Sequence, residues 1–117
     1  MDRLGVTGEQ KTQIQAVLGK YRPETEPLAR KLVAERRALR RLVQDGAADE
    51  TAVRSQVAKV ASLESDLAVV RARAAKEVRA LLTPEQTVKL AELQAEREKK
   101  ADRWMERRFR GGEREKR

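Results

Sequence analysis

Cysteine and histidine are both missing from this 117-residue chain. Their absence excludes a disulfide scaffold, a Cys/His zinc site, a thiol nucleophile and a histidine-based catalytic triad. Aromatic residues make up only 3% of the chain, one each of Trp, Tyr and Phe. Three prolines and six glycines are few enough for long helices in a sequence rich in Ala, Leu, Glu, Arg and Lys. No uncharged run approaches the roughly 20 apolar residues that cross a bilayer. A basic stretch followed by an apolar one, the mark of an export signal, does not follow Met1. There is no Walker or GxGxxG loop for a nucleotide and no readable constellation of catalytic groups. The chain therefore reads as non-enzymatic, with no cofactor and no metal site expected.

What is present is charge. Charged residues make up 39% of the chain, with 27 Lys/Arg against 19 Asp/Glu for a net of +8. Residues 1–44 carry 10 basic and 5 acidic groups, residues 45–82 carry 6 of each, and residues 83–117 carry 11 and 8. Basicity thus gathers in the first helical stretch and the tail, which suits a surface that attracts anions.

Helix signals organise the rest. Thr7-Gly8-Glu9-Gln10 has the form of a capping box, and Ile14, Val17, Leu18 and Tyr21 follow on one helical face. Pro23 and Pro27 predict a kink or short break between Tyr21 and Leu28. Beyond it, Leu28, Leu32, Leu39 and Val43 resume the stripe. Gly46 suits a left-handed C-cap and Asp49 an N-cap, so 45–49 reads as a turn. From Glu50 to Leu82 the steps Val53, Val57, Val60, Leu63, Leu67, Val70, Ala74, Val78 and Leu81 predict one helix of about 33 residues, roughly 50 Å long. Thr83, Pro84 and Gln86 form a second capping box with proline in the first helical position. Leu90 and Leu93 open a further stripe that reaches Trp104. Residues 1–110 read as one domain. Gly111-Gly112 ends order, leaving 111–117 as a disordered basic tail.

The two boxes carry a resemblance. Leu82-Thr83-Pro84-Glu85-Gln86 matches the Leu-Thr-x-x-Gln motif of the Spy/CpxP family fully, and Val6-Thr7-Gly8-Glu9-Gln10 matches it with Val in place of Leu. The similarity covers most of residues 4–97 and implies an all-α protein: a long helical hairpin with short flanking helices, paired as an intertwined, cradle-like homodimer. It further implies a periplasmic location, the export signal or anchor lying outside this sequence. The implied activity is that of an ATP-independent chaperone, a holdase for unfolded clients. The alternative is an envelope-stress or metal-resistance regulator that binds a sensor partner, as in the CnrX-type and zinc-resistance branches. Those branches rely largely on histidine ligands, which this chain lacks. Glu64 and Asp66 read as partners for Arg and Lys ahead of ligands for a hard cation.

The residues argue for a partner independently. A two-helix hairpin leaves much of each apolar stripe facing water, and burying one Leu or Val contributes only about 1.5–3 kcal/mol. Pairing two hairpins buries the remainder. In the densest basic cluster, Arg36, Arg37, Arg40 and Arg41, the helical wheel sets Arg36 close to the Leu32/Leu39/Val43 stripe with Arg40 and Val33 flanking it, while Arg37 and Arg41 point away. Charge there attracts an unfolded client at long range, and aliphatic surface and arginine stems hold it weakly. The competing reading is a solvated face balanced by Glu35 and nearby acids. Trp104, Met105 and Phe109 lie among Arg103, Arg107, Arg108 and Arg110. They form either an amphipathic basic segment that touches lipid, nucleic acid or a client, or aromatics that dock the last helix onto the dimer. Nucleic-acid binding fits less well: no helix-turn-helix is recognisable, and acids interleave with the basic residues.

Overall fold

The computed structural model describes residues 2–115. A single 3₁₀ turn, Asp2–Leu4, precedes three α-helices: α1 (Gly8–Asp45), α2 (Glu50–Ala80) and α3 (Pro84–Glu115). No strand occurs among the described residues, and the protein is all-α. Two compact units can be described separately, one running from Gly8 to Leu81 and the other joining the N-terminal segment through Thr7 with Leu82 onward.

The first unit is an antiparallel hairpin of α1 and α2. Its turn works as the sequence predicts. Gly46 has φ +69°, the left-handed conformation in which a side chain is strained. The Asp49 carboxylate then accepts the Ala52 backbone N–H at 2.7 Å, capping α2. α2 runs 31 residues without interruption, about 46 Å at the usual rise.

α1 differs from expectation: the break predicted between Tyr21 and Leu28 is not there, and the helix is continuous through Pro23 and Pro27. Both prolines are exposed. Each removes one N–H from the helix ladder, leaving the carbonyls of Gly19 and Pro23 without their usual donor. The two positions are four residues apart on one wet side of the helix, so water can serve those carbonyls and the helix persists.

Core packing is thin. Leu32, Val60 and Leu67 form its centre, with Leu28, Ala29, Leu39 and Leu63 packed against them. Ile14, Val70 and Ala74 are also buried. Three stripe positions of the hairpin are out of phase with the prediction. Leu18, Val43 and Val57 are exposed, whereas Leu42 is half-buried and Gln56 is buried. Gln56 is tolerated inside because its amide is satisfied. It donates to the Glu35 carbonyl at 2.9 Å and to the Glu35 carboxylate, tying α2 to α1.

In the second unit α3 is 32 residues long, so the helix after the hairpin is not the short flanking element expected. It continues through Gly111 and Gly112 to Glu115, where the sequence predicts order to end. Glycine costs a helix about 1 kcal/mol relative to alanine but introduces no clash. Flanked by charged helix formers, the pair does not stop the helix. Residues 116–117 of the expected tail lie outside the described residues.

Candidate functional site

The second motif is a helix-terminus device, and the glutamine of each motif makes a longer-range tie. At the start of α3 the Gln86 backbone N–H donates to Thr83 Oγ1 at 3.2 Å, and the Thr83 N–H donates to Gln86 Oε1 at 2.9 Å. This is the reciprocal capping box, with Pro84 at the first helical position and Glu85 adding an acidic side chain to the first turn. Leu82 is half-buried just before it. Gln86 Nε2 donates to the Gly5 carbonyl at 3.2 Å, fixing the N-terminal segment within its unit. In the hairpin unit, Gln10 Nε2 donates to the Leu81 carbonyl at 3.0 Å, tying the start of α1 to the end of α2. Each glutamine therefore donates to the carbonyl two residues ahead of the other motif's threonine, Thr7 in one case and Thr83 in the other.

The arginine cluster lies on the outer part of α1. Val33, Arg36, Leu39 and Arg40 line one shallow groove of about 450 Å³. Val33 is 54% exposed, while Leu39 is half-buried and rests on the Leu32–Val60–Leu67 cluster. The four arginines are not equivalent. Arg36 Nη2 bonds Glu64 of α2, so Glu64 serves as an arginine's partner; both side chains remain about half exposed. An ion pair so wet contributes at most about 1 kcal/mol. Arg37, Arg40 and Arg41 are exposed and make no ion pair among the described residues. Arg41 faces a separate depression with Leu42, Asp45 and Gln56. Three of the four guanidinium groups thus carry no ion pair among the described residues, and of these Arg40 lines the groove with Val33 and Leu39 while Arg41 lines the neighbouring depression.

Sequence reasoning missed a further concavity in the hairpin. An open groove of about 500 Å³ is lined by Leu18, Tyr21, Ala29, Ala74, Ala75 and Val78, with Arg22 and Arg71 at its edge. The signal was available in part: small alanines beside the stripe leave space between helices. The cross-helix register that places Tyr21 opposite them was not available. Beside the groove, Lys20 Nζ bonds Glu77 Oε1 at 2.8 Å, and the ammonium lies 5.3 Å from the Tyr21 ring centre. The hydrogen bond from Lys20 holds the Glu77 carboxyl below its ordinary range and raises the lysine in turn. Partial burial, then the neighbouring Glu77 carboxylate, pushes the Tyr21 phenol up.

Among the described residues no group of three or more acidic side chains is placed to hold a metal ion. No helix there is long and apolar enough to cross a membrane.

No curated protein and no solved structure matches the chain. A family model, described as LTXXQ motif family protein, matches residues 1–94. That span holds both threonine–glutamine motifs and the whole hairpin, and it ends within α3. By this match over most of its length, and by the two motifs whose hydrogen bonds are described above, the chain belongs to the LTXXQ family of Spy/CpxP-type proteins.

Proposed function

We propose that this protein is an ATP-independent periplasmic holdase, acting as a homodimer and without enzymatic activity. Its clients are unfolded or aggregation-prone chains, held on the basic, partly apolar surface around Val33, Leu39, Arg37, Arg40 and Arg41. The observation that carries the reading is that Arg37, Arg40 and Arg41 carry no ion pair among the described residues, with Arg40 lining a groove beside Val33 and Leu39. Guanidinium groups already locked in ion pairs would have nothing to offer a client, and a purely charged face would hold one only at low salt. Weak separate contacts also allow release without nucleotide. The thin hairpin core and its exposed apolar residues Leu18, Val43 and Val57 support a second copy as part of the working unit.

The test is suppression of aggregation of a chemically denatured client in the absence of ATP. Arg40→Glu/Arg41→Glu reverses two charges worth about 0.5 kcal/mol each. The concentration for half-suppression is expected to rise about fivefold, with the helical circular dichroism unchanged. Unaltered suppression removes these residues from the mechanism. Sedimentation at micromolar protein tests the dimer separately, and a monomer mass at all concentrations would refute it.

A further inference from the structure

The family match stops at residue 94, but α3 continues for another twenty residues and more. Every residue from Ala95 to Arg110 is exposed. This stretch nevertheless carries two of the chain's three aromatic residues. Trp104 is 56% exposed, Met105 43% and Phe109 66%. At about 3.6 residues per turn, Ala101, Trp104, Met105 and Phe109 fall on one side of the helix, with Arg108 among them. Arg108 lies over the Trp104 ring, 5.3 Å from its centre. Lys99, Lys100, Arg103, Arg107 and Arg110 occupy the opposite side and one flank. Residues 103–110 hold four arginines against one glutamate. Of the three helices, α3 is the most strongly amphipathic and also the most polar overall.

We propose that this face of α3, residues 101–109, is a docking surface for an anionic lipid bilayer, lying in the plane of its headgroups. High amphipathicity, low overall hydrophobicity, aromatic residues on one face and Lys/Arg on the other are the features of a helix that rests on a membrane without crossing it. The lipid surface satisfies both halves of the pattern at once: acyl chains receive Trp104, Met105 and Phe109, and anionic headgroups receive the arginines. Other occupants satisfy only one half. A second copy of this chain would cover Trp104, Met105 and Phe109 but set Arg108 against Arg108 and leave the arginines of the opposite side and flank without an anionic partner. A nucleic-acid backbone would neutralise the arginines and leave Met105 and Phe109 in water.

Trp104 is the only tryptophan, so the full-length protein carries its own reporter. With phosphatidylglycerol vesicles at low salt, its emission is expected to shift to the blue and the protein to sediment with the lipid. Both effects should weaken as salt rises and be absent with phosphatidylcholine vesicles. Met105→Glu/Phe109→Glu, at exposed positions that leave the helix intact, is expected to reduce lipid partitioning by at least about tenfold. Lys59→Glu, an equal change of charge sign on exposed α2, should alter it by less than about twofold. Four results would each overturn the proposal. They are no blue shift on phosphatidylglycerol at low salt, equal binding to both vesicle types, a Lys59→Glu loss as large as that of the α3 variant, and a blue shift produced only by an unfolded protein or by single-stranded nucleic acid.

Discussion

Gln86 poses a sharper question than its place in a motif, because a capping box accepts glutamate as readily as glutamine. Two of its side-chain bonds are separable, one accepted from the Thr83 N–H and one donated to the Gly5 carbonyl. Both are solvent-exposed, so each belongs at the low end of the usual range, about 0.5 kcal/mol. Gln86→Ala loses both and should cost at least about 1 kcal/mol. Gln86→Glu keeps the acceptor and loses the donor, but its charge gains roughly 0.3–1 kcal/mol from the N-terminus of α3. At low salt these two effects of Gln86→Glu nearly cancel. In about 1 M salt the charge term is screened, and the order becomes wild type, then Gln86→Glu, then Gln86→Ala, in two steps of about 0.5 kcal/mol. Urea midpoints at both salt concentrations, read at constant slope, provide the assay. If Gln86→Glu equals wild type at high salt, the Gly5 bond contributes nothing and glutamine is no better than glutamate. If it equals Gln86→Ala, the capping acceptor contributes nothing.

Two further outcomes concern the hairpin. Leu67 is 3% exposed at the centre of the small core, and Leu67→Ala should destabilise the α1–α2 unit by about 2–3 kcal/mol, visible as a lower urea midpoint. A loss under about 1 kcal/mol would mean that the core collapses around the gap. The Glu77 carboxyl is held below its ordinary value of 4.5 by the Lys20 hydrogen bond. Its contribution is therefore fully present above that value and fades as pH falls through the lowered one. The stability gap between wild type and Glu77→Gln should be widest at neutral pH and close on acidification. A gap that grows in acid contradicts the pairing.

Local chemistry was the legible part of this sequence. Gly46, Asp49 and the Thr83–Gln86 box are decided by a few neighbouring residues, and the structure places each as its residue type dictates. Features that depend on the opposite helix were not legible. Nothing local says that Gln56 turns inward while Val57 turns out, because the choice follows from Glu35 offering a carbonyl and a carboxylate across the hairpin. The pairing of Arg36 with Glu64 depends on cross-helix register in the same way. Pro23, Pro27 and the Gly111-Gly112 pair misled for a different reason. Each is a real local penalty of a few kcal/mol or less, and the helices on either side outweigh it. Within the candidate surface, residue identities were readable, but which of the four arginines carries an ion pair was not.

The rungs between α1 and α2 have a kinetic consequence. Their sequence separations fall from 71 at Gln10–Leu81, through 57 at Lys20–Glu77 and 28 at Arg36–Glu64, to 21 at Gln56–Glu35. The rung nearest Gly46 closes the shortest loop, and each one formed shortens the loop left for the next, so ordering proceeds outward like a zip fastener from the bend. Helical topologies of this kind fold in microseconds to milliseconds. A molecule pulled open at its far ends therefore keeps its starter near the bend and recloses without beginning again.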